Sequence, residues 1–179
     1  MWSSKIILVI FILFFIGCGY QFGAKRAFPG GVTKIAIPTF KNKTYEAGIE
    51  SAFTKALKYE FLKSGYVQLV SEKEAEAVIY GTVSSFQGIV GGTTEKTFPT
   101  STKRKPKLLG TSYSAEAVVD IVVKKKNKKK PLWSYSLSAS ESYGAGEEYL
   151  KNETNQREAI EELSERMMEE IHDRLFLNF

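Results

Sequence analysis

Tyr113-Ser114-Ala115-Glu116-Ala117-Val118-Val119-Asp120-Ile121-Val122-Val123 runs into Lys124-Lys125-Lys126-Asn127-Lys128-Lys129-Lys130, and the chain returns as Pro131-Leu132-Trp133-Ser134-Tyr135-Ser136-Leu137-Ser138-Ala139. Two β-rich runs around a short polar stretch predict a β-hairpin whose tip, near Asn127, is coated with lysine. Along the return strand Trp133, Tyr135 and Leu137 alternate with serines. The aromatic face therefore covers a core, and the serine face meets solvent or a partner.

Upstream, Ala77-Val78-Ile79-Tyr80-Gly81-Thr82-Val83-Ser84-Ser85-Phe86 is a second long β-rich run, in which Gly81 marks a bulge or a close backbone approach. From Gly91 to Gly110 the apolar pattern disappears, and Lys103-Arg104-Lys105-Pro106-Lys107 sits in the middle. A long mobile loop is expected there. Loops above about 12–15 residues in compact domains are either functional or disordered, so the segment is both a candidate contact surface and a candidate disordered loop.

Further out, Lys34 to Phe40 alternates Ile35 and Ile37 and ends near Pro38, as a strand at a sheet edge does. Ile49, Phe53, Ala56, Leu57 and Phe61 recur at helical spacing until Ser64-Gly65 stops them. Aromatic residues at that spacing belong to a core rather than to a ligand site. Tyr66 to Val70 is a short strand, with Val67 and Leu69 inward. Asn152 to Phe176 forms a second helix with the stripe Ile160, Leu163, Met167, Ile171 and Leu175. His172, the only histidine, is placed on its polar side as surface structure. The order βαβ, β-loop-β-hairpin, α predicts an α+β fold: a two-layer sandwich with a mixed sheet of four to five strands and two helices packed on one face.

The N-terminus sets the compartment. Lys5 precedes an apolar run from Ile6 to Ile16 that is too short to span a bilayer, which takes roughly 20 residues, and that has the form of a secretory signal. The run ends in Gly17-Cys18-Gly19, with the only cysteine of the chain. Phe15-Ile16-Gly17-Cys18 resembles a bacterial lipobox, although Phe15 and Ile16 depart from its usual Leu and small residue. The resemblance implies cleavage before Cys18, a diacylglycerol on its thiol and an acyl group on its new amine; the alternative is an uncleaved anchor with an incidental cysteine. Gly19 in place of Asp resembles the enteric signal for transfer to the outer membrane. The expected organisation is residues 1–17 as lipoprotein signal peptide, 18–31 as lipidated tether and 32–179 as a single domain.

Composition narrows the chemistry. With Cys18 lipidated there is no disulfide or thiolate metal site, and a single histidine weighs against metal or His-based acid–base chemistry. No nucleophile–base pair, metal spacing or phosphate-cradling glycine loop can be assembled, so neither an enzyme nor a cofactor is expected. The formal charge of +5 becomes +4 once Lys5 leaves, and the excess is gathered in two basic clusters. Clustered lysines bind phosphates; export removes nucleic acid as the partner and leaves phospholipid headgroups and lipopolysaccharide.

The chain also resembles the lipopolysaccharide-assembly lipoproteins of the LptE family. The likeness lies in Cys18-Gly19-Tyr20-Gln21-Phe22, in Ile35-Ala36-Ile37-Pro38-Thr39-Phe40 with Asn42 and Thr44, and in Ile49-Glu50 through Glu60-Phe61. It continues through Ala75 to Val83 and the Ala159 to Leu175 helix. The resemblance implies an α/β plug inside an outer-membrane β-barrel, LptD, held to the inner leaflet by its lipid and facing the periplasm or the barrel lumen. It also implies lipopolysaccharide binding by basic residues, placed by region at Lys103, Arg104, Lys105 and Lys107 and at Lys124, Lys125, Lys126, Lys128, Lys129 and Lys130. For the second group a solvated tip guarding against edge-to-edge aggregation stands beside a ligand or headgroup role. A stand-alone, periplasm-facing lipoprotein binding phospholipid or peptidoglycan is the alternative function.

Overall fold

The alternating runs form one antiparallel ribbon. In the computed structural model, which describes residues 28–96, 107–145 and 149–177, β4 (Ala77–Lys96) pairs with β5 (Lys107–Lys125), and β5 pairs with β6 (Trp133–Gly144). Three short strands join the other edge of β4: β1 (Lys34–Ala36) and β2 (Lys41–Asn42) pair with β4 in parallel, and β3 (Gln68–Leu69) pairs in parallel with β1. The result is a mixed six-stranded sheet of order β3-β1-β4-β5-β6, with β2 beside β4. The expected α+β sandwich is borne out, with the sheet extended by the two-residue strands β2 and β3.

Helices α1 (Ile49–Ser64) and α2 (Tyr149–Leu177) pack on each other and on one face of the sheet. The α1 stripe Ile49, Phe53, Ala56, Leu57 and Phe61 is buried as its spacing requires. Gly65 ends α1 in the left-handed region at φ 64°, its N–H donating to Phe61 O at 3.2 Å. From α2 the stripe Ile160, Leu163, Met167, Ile171 and Leu175 meets Ala115, Ala117, Val119, Ile121 and Val123 of β5 within the same core. Thr54 ties the layers together: its buried hydroxyl donates to Glu50 O and accepts the Phe40 N–H at 2.9 Å.

Asn42 acts as a local strut. Its Oδ1 accepts from the Thr44 N–H and hydroxyl at 2.7 and 2.8 Å, while its Nδ2 donates to Glu46 O and to Glu50 Oε2 at 2.7 and 2.9 Å. The chain between β2 and α1 is thereby folded back onto the helix start. Gly81 is a close approach, since a Cβ there would collide with the ring of Phe40. The bulge lies just beyond it, where the register slips between Val83 and Ser85.

Three expectations change. The Gly91–Gly110 segment is not wholly a loop, because β4 continues to Lys96 and β5 starts at Lys107, paired strand to strand. Phe28 and Pro29, assigned to the tether, are buried, with Phe28 packed against Phe61 and Phe176. His172 is not a surface residue: only 5% exposed, it lies within 5.0 Å of the Phe61 ring centroid, and its Nε2 meets Ser64 Oγ at 3.0 Å. The ring's apolar faces pack on aromatics while a hydroxyl satisfies one nitrogen, so a polar residue is accommodated inside.

Candidate functional site

Register separates Lys107 from the Lys124–Lys130 cluster along one ribbon. Ala77 pairs with Lys125 at one end and Lys96 with Lys107 at the other, separated by the 20-residue length of β4, roughly 60 Å of extended strand. Lys107 is the first residue of β5 at the distal end. Lys103, Arg104 and Lys105 lie outside the described residues, as does Cys18. Lys124, Lys125, Lys126, Lys128, Lys129 and Lys130 end or follow β5 at the near end, where Asn127 takes φ 69°. Lys107 and the Lys124–Lys130 cluster therefore sit at opposite ends of the ribbon.

The near end is also where the chain enters the fold. The Lys125 ammonium donates to Gly30 O at 3.1 Å, and Lys126 Nζ donates to Lys73 O at 2.7 Å. The Glu76 carboxylate accepts from the Thr33 N–H at 3.0 Å and from its hydroxyl at 3.1 Å. The Thr33 N–H is the main cause holding the Glu76 carboxyl below its usual value; the Thr33 hydroxyl and the charges of Lys125 and Lys34 act in the same direction, against a desolvation cost. The backbone N–H of Lys126 donates to Glu76 O at 2.9 Å. Lys124 lies over the Tyr80 ring at 5.7 Å. Lys128, Lys129 and Lys130 are exposed and make no ion pair among the described residues.

The distal end is built differently. β6 reaches only to the Ser112–Gly144 pair, so beyond it β4 and β5 pair with each other alone. Gln87 to Gly91 are all exposed, Ile89 at 44% and Val90 at 53%. At the base of this arm Tyr113 and Tyr143 stack at 5.5 Å. Burial, followed by the neighbouring Tyr113, pushes the Tyr143 phenol above its usual value.

Between the two ends lies a polar sheet face. Ser134, Ser136, Ser138, Ser140 and Ser142 are exposed, opposite to buried Leu137 and half-buried Trp133, Tyr135 and Tyr143. Their β5 partners on this face are Val122, Asp120, Val118, Glu116 and Ser114. Among the described residues no element covers it. The serine alternation foretold this surface, whereas the near-end clasp of Thr33, Glu76, Lys125 and Gly30 has no signal in the linear order, because its members are brought together only by strand pairing.

This architecture defines a class of small two-layer α+β domains, seen in several solved lipoproteins. The chain is similar to rare lipoprotein B of Shewanella oneidensis, with 11% identity, a TM-score of 0.50, and coverage of 80% of this chain and 93% of that one. It is likewise similar to a PelC variant from Paraburkholderia phytofirmans, solved as a dodecamer, with 11% identity, a TM-score of 0.52, and coverage of 84% and 90%. At such identities these likenesses show the fold alone. No curated protein matches the sequence. The chain belongs to the LptE family of lipopolysaccharide-assembly proteins, whose family model matches residues 32–175.

Proposed function

We propose that this chain is a non-enzymatic outer-membrane lipoprotein that plugs an LptD-type β-barrel, assists its assembly and binds lipopolysaccharide. Residues 1–17 are its signal peptide, and Cys18 carries the diacylglycerol and N-acyl chains that hold it to the inner leaflet. The observation that carries the plug reading, beside family membership, is the uncovered serine face of β6 and β5. The lumen of a large outer-membrane barrel is polar, and a face of five serines with Asp120 and Glu116 beside them offers hydroxyls and carboxylates to such a wall. The distal arm supports the lipopolysaccharide role. It continues past the last β5–β6 pair, Ser112–Gly144, to Lys96 and Lys107, the residues that flank the 103–105 basic run in sequence.

A photo-crosslinker in place of Ser138, in intact cells, tests the plug. The expected product is a covalent adduct with a large barrel protein. Adducts from Lys58 on α1 but none from Ser138 would reverse the face assignment, and no adduct from either would sink the partnership. For the arm, Lys103, Arg104, Lys105 and Lys107 are all replaced by Glu; unchanged binding to purified lipopolysaccharide would remove the arm from the binding surface.

A further inference from the structure

We infer that the Lys124–Lys130 hairpin tip is a headgroup-docking element, which seats the near end of the domain on the anionic phospholipid leaflet that holds its lipid anchor. The inference goes beyond the plug reading but rests on lipidation of Cys18. The tip and the tether are stapled together by the Lys125 ammonium on Gly30 O at 3.1 Å and by Leu132, whose methyl lies 3.5 Å from the position a Cβ on Gly30 would take. Residues 18 and 28 are ten apart in sequence, a reach of at most about 35 Å. An acylated Cys18 therefore holds Phe28 within about 35 Å of the membrane surface, so the tip stapled beside it can reach the headgroups.

The lysines divide by role. Lys125 and Lys126 donate to the carbonyls of Gly30 and Lys73 and so fix the tip's shape. Lys128, Lys129 and Lys130 are exposed beyond that fixed base, with Asn127 making the turn at φ 69°. The neighbouring 71–76 segment brings Glu72, Glu74 and Glu76, but Glu76 is engaged with Thr33 and Glu74 accepts from Ser71. Across residues 71–76 and 124–130 lysines outnumber glutamates, so the surface is net basic. Juxtamembrane lysines gain about 1 kcal/mol each at an anionic surface, roughly fivefold in partition, and a lipid anchor beside a basic patch is a standard two-signal attachment. A patch roughly 60 Å away at the distal end would gain nothing from this anchor, being several Debye lengths from the leaflet, each about 8 Å at physiological salt.

The test uses the full lipoprotein carrying Pro131→Cys, reconstituted into vesicles. Thiol titration comes first: one reactive thiol means that Cys18 is blocked by lipid, whereas two mean that the anchoring reading has failed, independently of docking. The thiol introduced at position 131 is then labelled with a fluorophore and quenched by headgroup-located spin label. In vesicles containing about 20 mol% phosphatidylglycerol, quenching should exceed that in pure phosphatidylcholine. It should fall to the phosphatidylcholine level with Lys128, Lys129 and Lys130 all changed to Gln, the expected loss in local partition being about a hundredfold. The same number of charges removed at Lys55, Lys58 and Lys63 on α1 should change nothing. Equal quenching in both vesicle types, or an equal effect of the α1 variant, would overturn the proposal. Stronger quenching by lipopolysaccharide vesicles than by phosphatidylglycerol at matched charge would overturn phospholipid as the ligand.

Discussion

The two halves of the β4–β5 ribbon follow the same pairing rules and differ in everything else. From Ala77 to Phe86, opposite Ala117 to Lys125, alternate residues are buried under α1 and α2, with Ile79, Val83, Val119 and Ile121 at 0% exposure. From Gln87 to Gly91 every β4 residue is exposed, Ala115 is the last buried residue on the β5 side, and beyond the Ser112–Gly144 pair the ribbon leaves β6. One half is held by a core and the other mainly by its ladder. Isolated two-stranded hairpins are marginal in water. The contrast assigns stability to the near half and leaves the distal half free to be specified by what it touches.

The largest expected effect that sharpens this contrast is Phe61→Ala. Phe61 is fully buried, with ring centroids of Phe28, His172 and Phe176 at 6.1, 5.0 and 6.2 Å. Its removal should cost about 3–5 kcal/mol in urea unfolding, whereas Ile89→Ala in the distal half should cost about 0.5 kcal/mol or less. Comparable losses at both sites would break the division. Gly81→Ala comes next, at about 1–3 kcal/mol, because its Cβ meets the Phe40 ring in a packed interior. Adding Phe40→Leu should recover part of that loss, and additive costs in the double-mutant cycle would refute the steric cause.

A smaller effect concerns acid. The Glu76 carboxyl is depressed chiefly by the Thr33 N–H, so its contribution is present above the value of an unfolded glutamate and is lost as pH falls through its folded value. In an NMR titration its midpoint should lie below that of a glutamate in the unfolded chain, and Thr33→Val, which removes the hydroxyl but keeps the N–H, should move it part of the way back. A midpoint for Glu76 at or above the unfolded-chain value would dissolve the clasp at the near end.

How much of this is legible in the chain follows the same division. Where a face is buried, burial imposes a period: the serine alternation of β6, the stripe of α1 and the Gly65 stop all read directly. The distal strands carry glycine, threonine and charge with no apolar alternation, so Gly92 to Lys96 and Lys107 to Gly110 read as loop although they are paired. His172 is misplaced for a related reason. Residue type sets it on a polar side, but the aromatic cluster of Phe61, Tyr66 and Phe176 around the Ser64 hydroxyl makes a buried seat that no local pattern announces. The basic clusters are visible as composition. That Lys107 lies at the pole opposite Lys124 to Lys130 is not, because it depends on the strand register that sets Ala77 against Lys125 and Lys96 against Lys107.

The smallest expected change in stability is the most decisive for the comparison. Thr93 and Gly110 are a register pair, so residues 94–109 can be replaced by Asn-Gly, a two-residue turn that suits an antiparallel hairpin. The buried side chains Ala77, Ile79, Val83, Ala115, Ala117, Val119, Ile121 and Val123 all lie outside the replaced stretch, and the ladder bonds lost with it are offset by the entropy of ordering it. Unfolding free energy should therefore change by about 0.5 kcal/mol or less, while binding to purified lipopolysaccharide should drop to background. A loss of several kcal/mol would mean that the distal half is part of the body of the fold. Unchanged stability with unchanged binding would keep the architecture as described and move the lipopolysaccharide surface off the arm.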